Sequence, residues 1–112
     1  MKSDALRGHL DLLLLAIVED GPHHGYAVIE ELRNRTDGAV DLPEGTIYPA
    51  LHRLERAGLI RSEWLTVGGR HRRAYRLTRA GRAALSEQRA VWELFSAAVT
   101  ALLRAQARPS TA

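Results

Sequence analysis

Two adjacent glycines, Gly68 and Gly69, stand between two runs of strand-forming residues, and this pair constrains the fold more than any other feature of the chain. A two-residue hairpin turn needs positive backbone angles, which glycine supplies without steric cost. The spacing predicts an antiparallel hairpin, with residues 59–67 going out and 72–77 returning. Period-two alternation puts Ile60 and Trp64 on one side, with Arg61, Glu63 and Leu65 on the other. On the return strand Tyr75 and Leu77 share a face opposite Arg72 and Arg76. The hairpin tip is therefore basic.

Upstream of the hairpin the apolar period is helical. Leu6, Leu10, Leu13, Leu14 and Ile17 mark a first helix over residues 6–19, stopped by Gly21-Pro22. It is apolar over more than half its circumference, so burial on two sides is expected, a second chain being one candidate cover. Val28, Ile29 and Leu32 line a second helix over residues 24–35, ended by Asp37-Gly38. His23-His24 at its entry suits capping or surface exposure better than metal ligation. Residues 40–42 are readable as one small strand.

A third helix starts within residues 43–46 and runs to Ala57, with Gly58 as its stop. Ile47, Ala50, Leu51 and Leu54 form its inner face, while Gly45, Thr46, Pro49, His52, Arg53 and Arg56 lie opposite and Tyr48 on the flank. Pro49 lacks a backbone donor and crowds the preceding turn, which predicts a short or distorted start. After the hairpin, Thr78 opens a last helix to about Gln106. Leu85, Gln88, Trp92, Phe95, Val99 and Leu102 step by three and four along it, a heptad-like seam. The expected division is a unit of three helices and a hairpin at 1–78, a long C-terminal helix at 79–108 and a frayed tail at 109–112.

Composition removes several function classes. The 112 residues make one domain's worth of chain, and 46% apolar with 26% charged residues is ordinary for a globular protein. With no cysteine, disulfide scaffolds, thiolate metal sites and cysteine nucleophiles are excluded. The longest apolar run, Leu12 to Val18, is seven residues, far short of the ~20 a membrane helix needs. Asp4 and Asp11 interrupt the amino end, so no signal peptide is expected, and the reading is a soluble, cytoplasmic domain without membrane contact. No nucleophile elbow, phosphate-cradling glycine loop or zinc helix motif occurs, and the five histidines show no ligand spacing. Neither an enzyme nor a cofactor is expected.

Charge is unevenly spread. Residues 1–60 carry six bases and ten acids, net −4, whereas residues 61–89 carry eight arginines and two acids, net +6. Arg70, Arg72, Arg73, Arg76, Arg79 and Arg82 fall within thirteen consecutive residues that hold no acid. Such a cluster attracts polyanions. Three helices followed by a basic-tipped hairpin is the layout of a winged helix-turn-helix, mainly α, whose third helix is sized for the ~12 Å major groove. Thr46 would meet a phosphate or a base, and Arg53 would fork onto a guanine or a phosphate. Pro49 and His52 lie beside them, and the Tyr48 hydroxyl faces the backbone. Arg70, Arg72 and Arg73 on the slim wing would reach a backbone or minor groove.

The seam with Trp92 and Phe95 asks for a partner, and the economical one is the same helix of a second copy. Leu10, Leu14, Leu85, Trp92, Phe95, Val99 and Leu102 are its expected lining. Two recognition helices ~34 Å apart would read a palindrome. Trp92 is also the residue that would line a cavity for a flat aromatic effector. The competing reading is a winged-helix module that holds a protein or ligand and touches DNA weakly or never.

Several stretches resemble the PadR-like transcriptional regulators, in particular the small class with a single C-terminal helix. They are Leu6-Arg7-Gly8, His24-Gly25-Tyr26, the run Gly45-Thr46-Ile47-Tyr48-Pro49-Ala50-Leu51-His52-Arg53-Leu54, then Ala57-Gly58-Leu59-Ile60 with Trp64, and Gly69 through Thr78 with Gly81. The resemblance implies a homodimer that binds palindromic operators, usually as a repressor, and that is released by a small, sometimes planar, effector. It also implies DNA contacts for Tyr26, Thr46, Tyr48 and the wing arginines. For Tyr26 that role comes from the resemblance alone.

Overall fold

In the computed structural model, Leu6 and residues 8–105 are described. The helical periods and glycine stops produce α1 (Leu10–Val18), α2 (Gly25–Arg35) and α3 (Glu44–Arg56), followed by β2 (Ile60–Val67), β3 (Arg70–Leu77) and α4 (Arg79–Arg104). A two-residue strand, β1 (His23–His24), precedes α2 and completes an antiparallel sheet in the order β1-β3-β2. This is the four-helix, winged arrangement the residue pattern predicts. The expected end near Gln106 and the tail at 109–112 lie outside the described residues.

The hairpin closes as its glycines require. Val67 pairs with Arg70 across a two-residue turn in which Gly68 and Gly69 have φ of 59° and 78°. The register sets Ile60 opposite Leu77, Ser62 opposite Tyr75 and Trp64 opposite Arg73. Arg73 thus shares the face of Trp64 and Tyr75, while Arg72 sits with Leu65 on the other.

Leu14, Leu15, Val28, Leu32, Ile47, Leu51, Leu54, Ile60 and Leu85 are almost wholly removed from water and form the centre of one core. Two interface expectations are corrected here. Leu14 and Leu85 are 0% and 1% exposed within the chain itself, so they cannot also face a second copy. An apolar stripe reports that a cover exists, not which chain provides it. Leu10 packs only partly against the core.

The strand expected at 40–42 does not form. Val40 and Leu42 are instead buried one by one as plugs, and the Val40 N–H donates to the Thr36 hydroxyl at 3.0 Å. The outer edge of β3 is taken by His23 and His24, which pair with Tyr75 and Ala74. Pro49 lies in the second turn of a continuous α3. Its missing donor would have met the carbonyl of Gly45. The Pro43 carbonyl accepts from both Thr46 and Ile47, at 3.0 and 3.1 Å, so the first turn is tightened rather than broken.

The Thr78 hydroxyl accepts from the Gly81 N–H at 3.0 Å, capping α4. Beyond Leu85 no residue of this helix is buried, although Arg89 pairs with Glu19 at 2.8 Å and Trp92 still reaches His9. The molecule measures 71 × 28 × 20 Å with a radius of gyration of 17.5 Å, against ~13 Å for a compact chain of this length. Among the described residues no helix is long and apolar enough to cross a membrane.

Candidate nucleic-acid interface

The start of α2, the flank of α3 at Tyr48 and the hairpin meet at a groove of about 450 Å³, which Thr46, Pro49, His52 and Arg53 do not line. His24, Tyr26 and Tyr48 line one wall, and Arg70, Arg72, Arg73 and Trp64 the other. The sequence elements expected to act together are thus neighbours in space. Along α3, Pro49, His52 and Arg53 are exposed and Thr46 is half-buried.

Tyr48 owes its place to Gly25. A β-carbon at Gly25 would collide with the Tyr48 ring and lie 2.8 Å from its hydroxyl oxygen. The glycine that opens α2 therefore lets the ring lie flat across the helix start, with its hydroxyl beside the wing. Burial, then the nearby Glu44 carboxylate, raises the Tyr48 pKa, so the phenol stays protonated and able to donate. Tyr26, in the first turn of α2, is half exposed next to it.

His24 joins the three parts. Its Nδ1 accepts from the Ala27 N–H at 3.2 Å as the N-cap of α2, its backbone pairs with β3, and its Nε2 lies 3.4 Å from Arg72 Nη1. The capping role read from the sequence holds; the strand and the arginine contact depend on residues about fifty positions away and leave no local pattern. Burial, then the Arg72 charge, lowers the His24 pKa below 6.5, with Glu30 opposing and His23 adding to the shift. The folded state therefore binds fewer protons here than the unfolded chain. Stability from this group is complete above about pH 6.5 and is lost as pH falls through the lowered folded value. Melting temperature should drop between about pH 8 and about pH 5, and His24→Asn, which keeps a cap acceptor, should flatten part of that drop. An unchanged pH profile would remove His24 from this role.

The wing arginines are not equivalent. Among the described residues neither Arg70 nor Arg72 has an ion-pair partner, and the Arg72 guanidinium approaches the His24 ring nitrogen at 3.4 Å. Arg73 is anchored: its Nε donates to Ser62 Oγ at 2.7 Å, Nη2 is 3.9 Å from Glu55, and the guanidinium lies 5.6 Å above the Trp64 ring. Glu55 also accepts from the Ser62 N–H at 2.9 Å and from its hydroxyl. Arg76 pairs with Glu63 at 2.8 Å. The acid-free run of the sequence thus acquires acids from α3 and β2 on folding; among the described residues Arg70 and Arg72 at the groove keep no acid partner, as do Arg79 and Arg82 in the first turn of α4.

Arg53 is also engaged. It makes a two-pronged pair with Asp11 of α1, at 2.6 and 3.0 Å, across a sequence gap no motif bridges. Trp92 lies at a second cleft, of about 600 Å³, between α1 and α4. Its ring meets His9 edge-on at 5.3 Å and Phe95 at 6.1 Å. Further along α4, Val91, Leu94, Phe95, Leu102 and Leu103 are more than half exposed.

Comparison with known proteins agrees with this geometry. The profile of the transcriptional regulator PadR-like family matches residues 14–87. A relative from Mycobacterium tuberculosis, transcriptional regulator Rv3488, is 44% identical over 87 residues, covering 78% of each chain. The crystal structure of a PadR-like transcriptional regulator from Bacillus cereus superposes with a TM-score of 0.83 at 30% identity, covering 93% of this chain and all of that one. A PadR family regulator from Clostridium difficile gives 0.77 at 31%, covering 86% and 99%. The family and these relatives are transcriptional regulators, not enzymes. With the same winged fold, and with its α3 motif and arginine-tipped wing side by side, this chain belongs to the PadR-like family of transcriptional regulators.

Proposed function

We propose that the protein is a sequence-specific DNA-binding regulator, acting as a repressor, that grips a palindromic operator as a homodimer and releases it on binding a small planar effector. The observation that carries this reading is the groove where Tyr26 of α2, Tyr48 of α3 and the wing residues Arg70 and Arg72 converge, with α3 also exposing Pro49, His52 and Arg53. Helix α3 enters the major groove, and the wing and the two tyrosines hold the flanking phosphates. Arg73 acts mainly as a strut, fixed by Ser62 and Glu55, that keeps the hairpin upright beside α3. An apolar, aromatic row along a projecting helix supports dimerisation, because water-exposed apolar patches of this extent are usually covered. The α1–α4 cleft beside Trp92 supports the effector.

The test is binding to the DNA upstream of the protein's own gene, followed across a salt series. Arg72→Ala should weaken binding to all sequences and lower the salt slope by ~0.9 for each phosphate left without its cation. Arg53→Ala should change operator preference, at a cost of ~1–3 kcal/mol if it reads a base. Equal weakening on every sequence would make Arg53 a phosphate contact instead. Elution from heparin at low salt, with no shift of any duplex, would favour a protein- or ligand-holding module over a DNA-binding one.

A further inference from the structure

We propose that Asp11 is an internal competitor for Arg53, holding the recognition-helix guanidinium on α1 and thereby setting how tightly the protein grips DNA. The inference rests on the DNA-binding reading above. Both carboxylate oxygens are used: Arg53 Nη2 donates to Oδ1 at 2.6 Å and Nη1 to Oδ2 at 3.0 Å. Those same two N–H groups are the fork that would meet the paired acceptors of a guanine edge or the oxygens of a phosphate. A guanidinium presents that fork to one bidentate partner at a time, so a duplex must displace Asp11 before it gains Arg53.

The pair is poorly placed to serve the fold. The Arg53 and Asp11 side chains are 57% and 36% exposed, and solvated ion pairs contribute little to stability. The α1–α3 contact is already made by Leu14, Leu15, Leu51 and Leu54 in the core. Solvation also means that the pair can open, since no desolvated charge is left behind when Arg53 turns to DNA. The consequence of the pair therefore falls on binding. Each duplex complex that uses Arg53 is weakened by the strength of the Asp11 contact, about fivefold at most for an exposed pair. A regulator that must leave its operator gains from such a built-in ceiling.

Asp11→Asn in the full chain tests this, with a mixed-sequence duplex and the tightest duplex that the wild type selects from a random pool as probes. The substitution should raise affinity two- to fivefold per recognition helix engaged and steepen the salt slope by up to ~0.9. The melting temperature should stay nearly constant. In an Arg53→Ala background the same substitution should gain nothing. Unchanged or weaker binding by Asp11→Asn overturns the proposal while leaving DNA binding itself standing. An equal gain in the Arg53→Ala background also overturns it, because Asp11 would then act only by repelling phosphates. If the wild type binds neither probe, the DNA-binding reading fails and the competition falls with it.

Discussion

Replacing Trp92 and Phe95 together by alanine should give a folded monomer that binds its operator about 10²–10⁴-fold more weakly than the wild type. Both rings are poorly covered within one chain, at 42% and 55% exposure, and their aromatic contacts are with His9 and with each other. Removing them leaves the core around Leu14, Leu51 and Leu54 untouched. In the proposed dimer, by contrast, each ring would bury ~150–250 Å², and aromatic anchors of this kind commonly cost ~2 kcal/mol or more on truncation. Losing the dimer turns a two-handed grip on a palindrome into a one-handed grip, and the affinity owed to effective concentration goes with it. Sedimentation gives the oligomeric state and fluorescence anisotropy the affinity. A double variant that remains dimeric would move the contact elsewhere on the molecule.

The second large effect is one of stability, and its sign runs against helix propensity. Gly81→Ala should destabilise the fold by about 1–3 kcal/mol or more, although alanine is normally preferred over glycine in a helix. A β-carbon at Gly81 would collide with the Leu59 carbonyl oxygen and lie 2.9 Å from the carbonyl carbon. That carbonyl has no freedom to retreat. It accepts from the Thr78 N–H at 3.1 Å, and the Thr78 hydroxyl donates to the neighbouring Gly58 carbonyl at 2.6 Å. The crossing of α4 over the start of β2 is thus built from backbone on backbone, and an added methyl must break one of these bonds. Gly45→Ala is the matched control. It is also helical, nothing lies within 4 Å of its would-be β-carbon, and it should stabilise by ~0.4–1 kcal/mol. Denaturant unfolding at fixed protein concentration reads both. A neutral Gly81→Ala would mean that the two backbones can part at this crossing without cost.

Much of this molecule is legible before folding is considered. The period of Leu10, Leu14 and Ile17, the inner row Ile47, Ala50, Leu51 and Leu54, and the Gly68-Gly69 turn each depend on neighbours a few positions away. Helix period and turn angle are local properties, so the elements and their order emerge with boundaries near those observed. Strand β1 escapes notice because two residues carry no period. The segment at 40–42 misleads in the opposite way: its apolar side chains are buried, but as separate plugs without a ladder. The position of Tyr48 depends on Gly25 in another helix, a dependence that no spacing within α3 could reveal.

Charge and coverage behave differently, because both are settled by residues far apart in the chain. Arg70 through Arg82 form an acid-free basic run along the chain, yet Glu63 arrives beside Arg76 once the hairpin closes, and Glu55 beside Arg73 once the hairpin packs on α3. Arg53 meets a carboxylate from a different helix altogether. Likewise, apolar spacing marks Leu14, Leu85, Trp92 and Phe95 alike, but packing seals the first two inside the chain and leaves the last two facing outward. Short-range periodicity thus names the parts and their order. Which cation remains free and which apolar face remains open follow only from the packed chain, since Coulomb attraction and burial act through space and take no account of sequence distance.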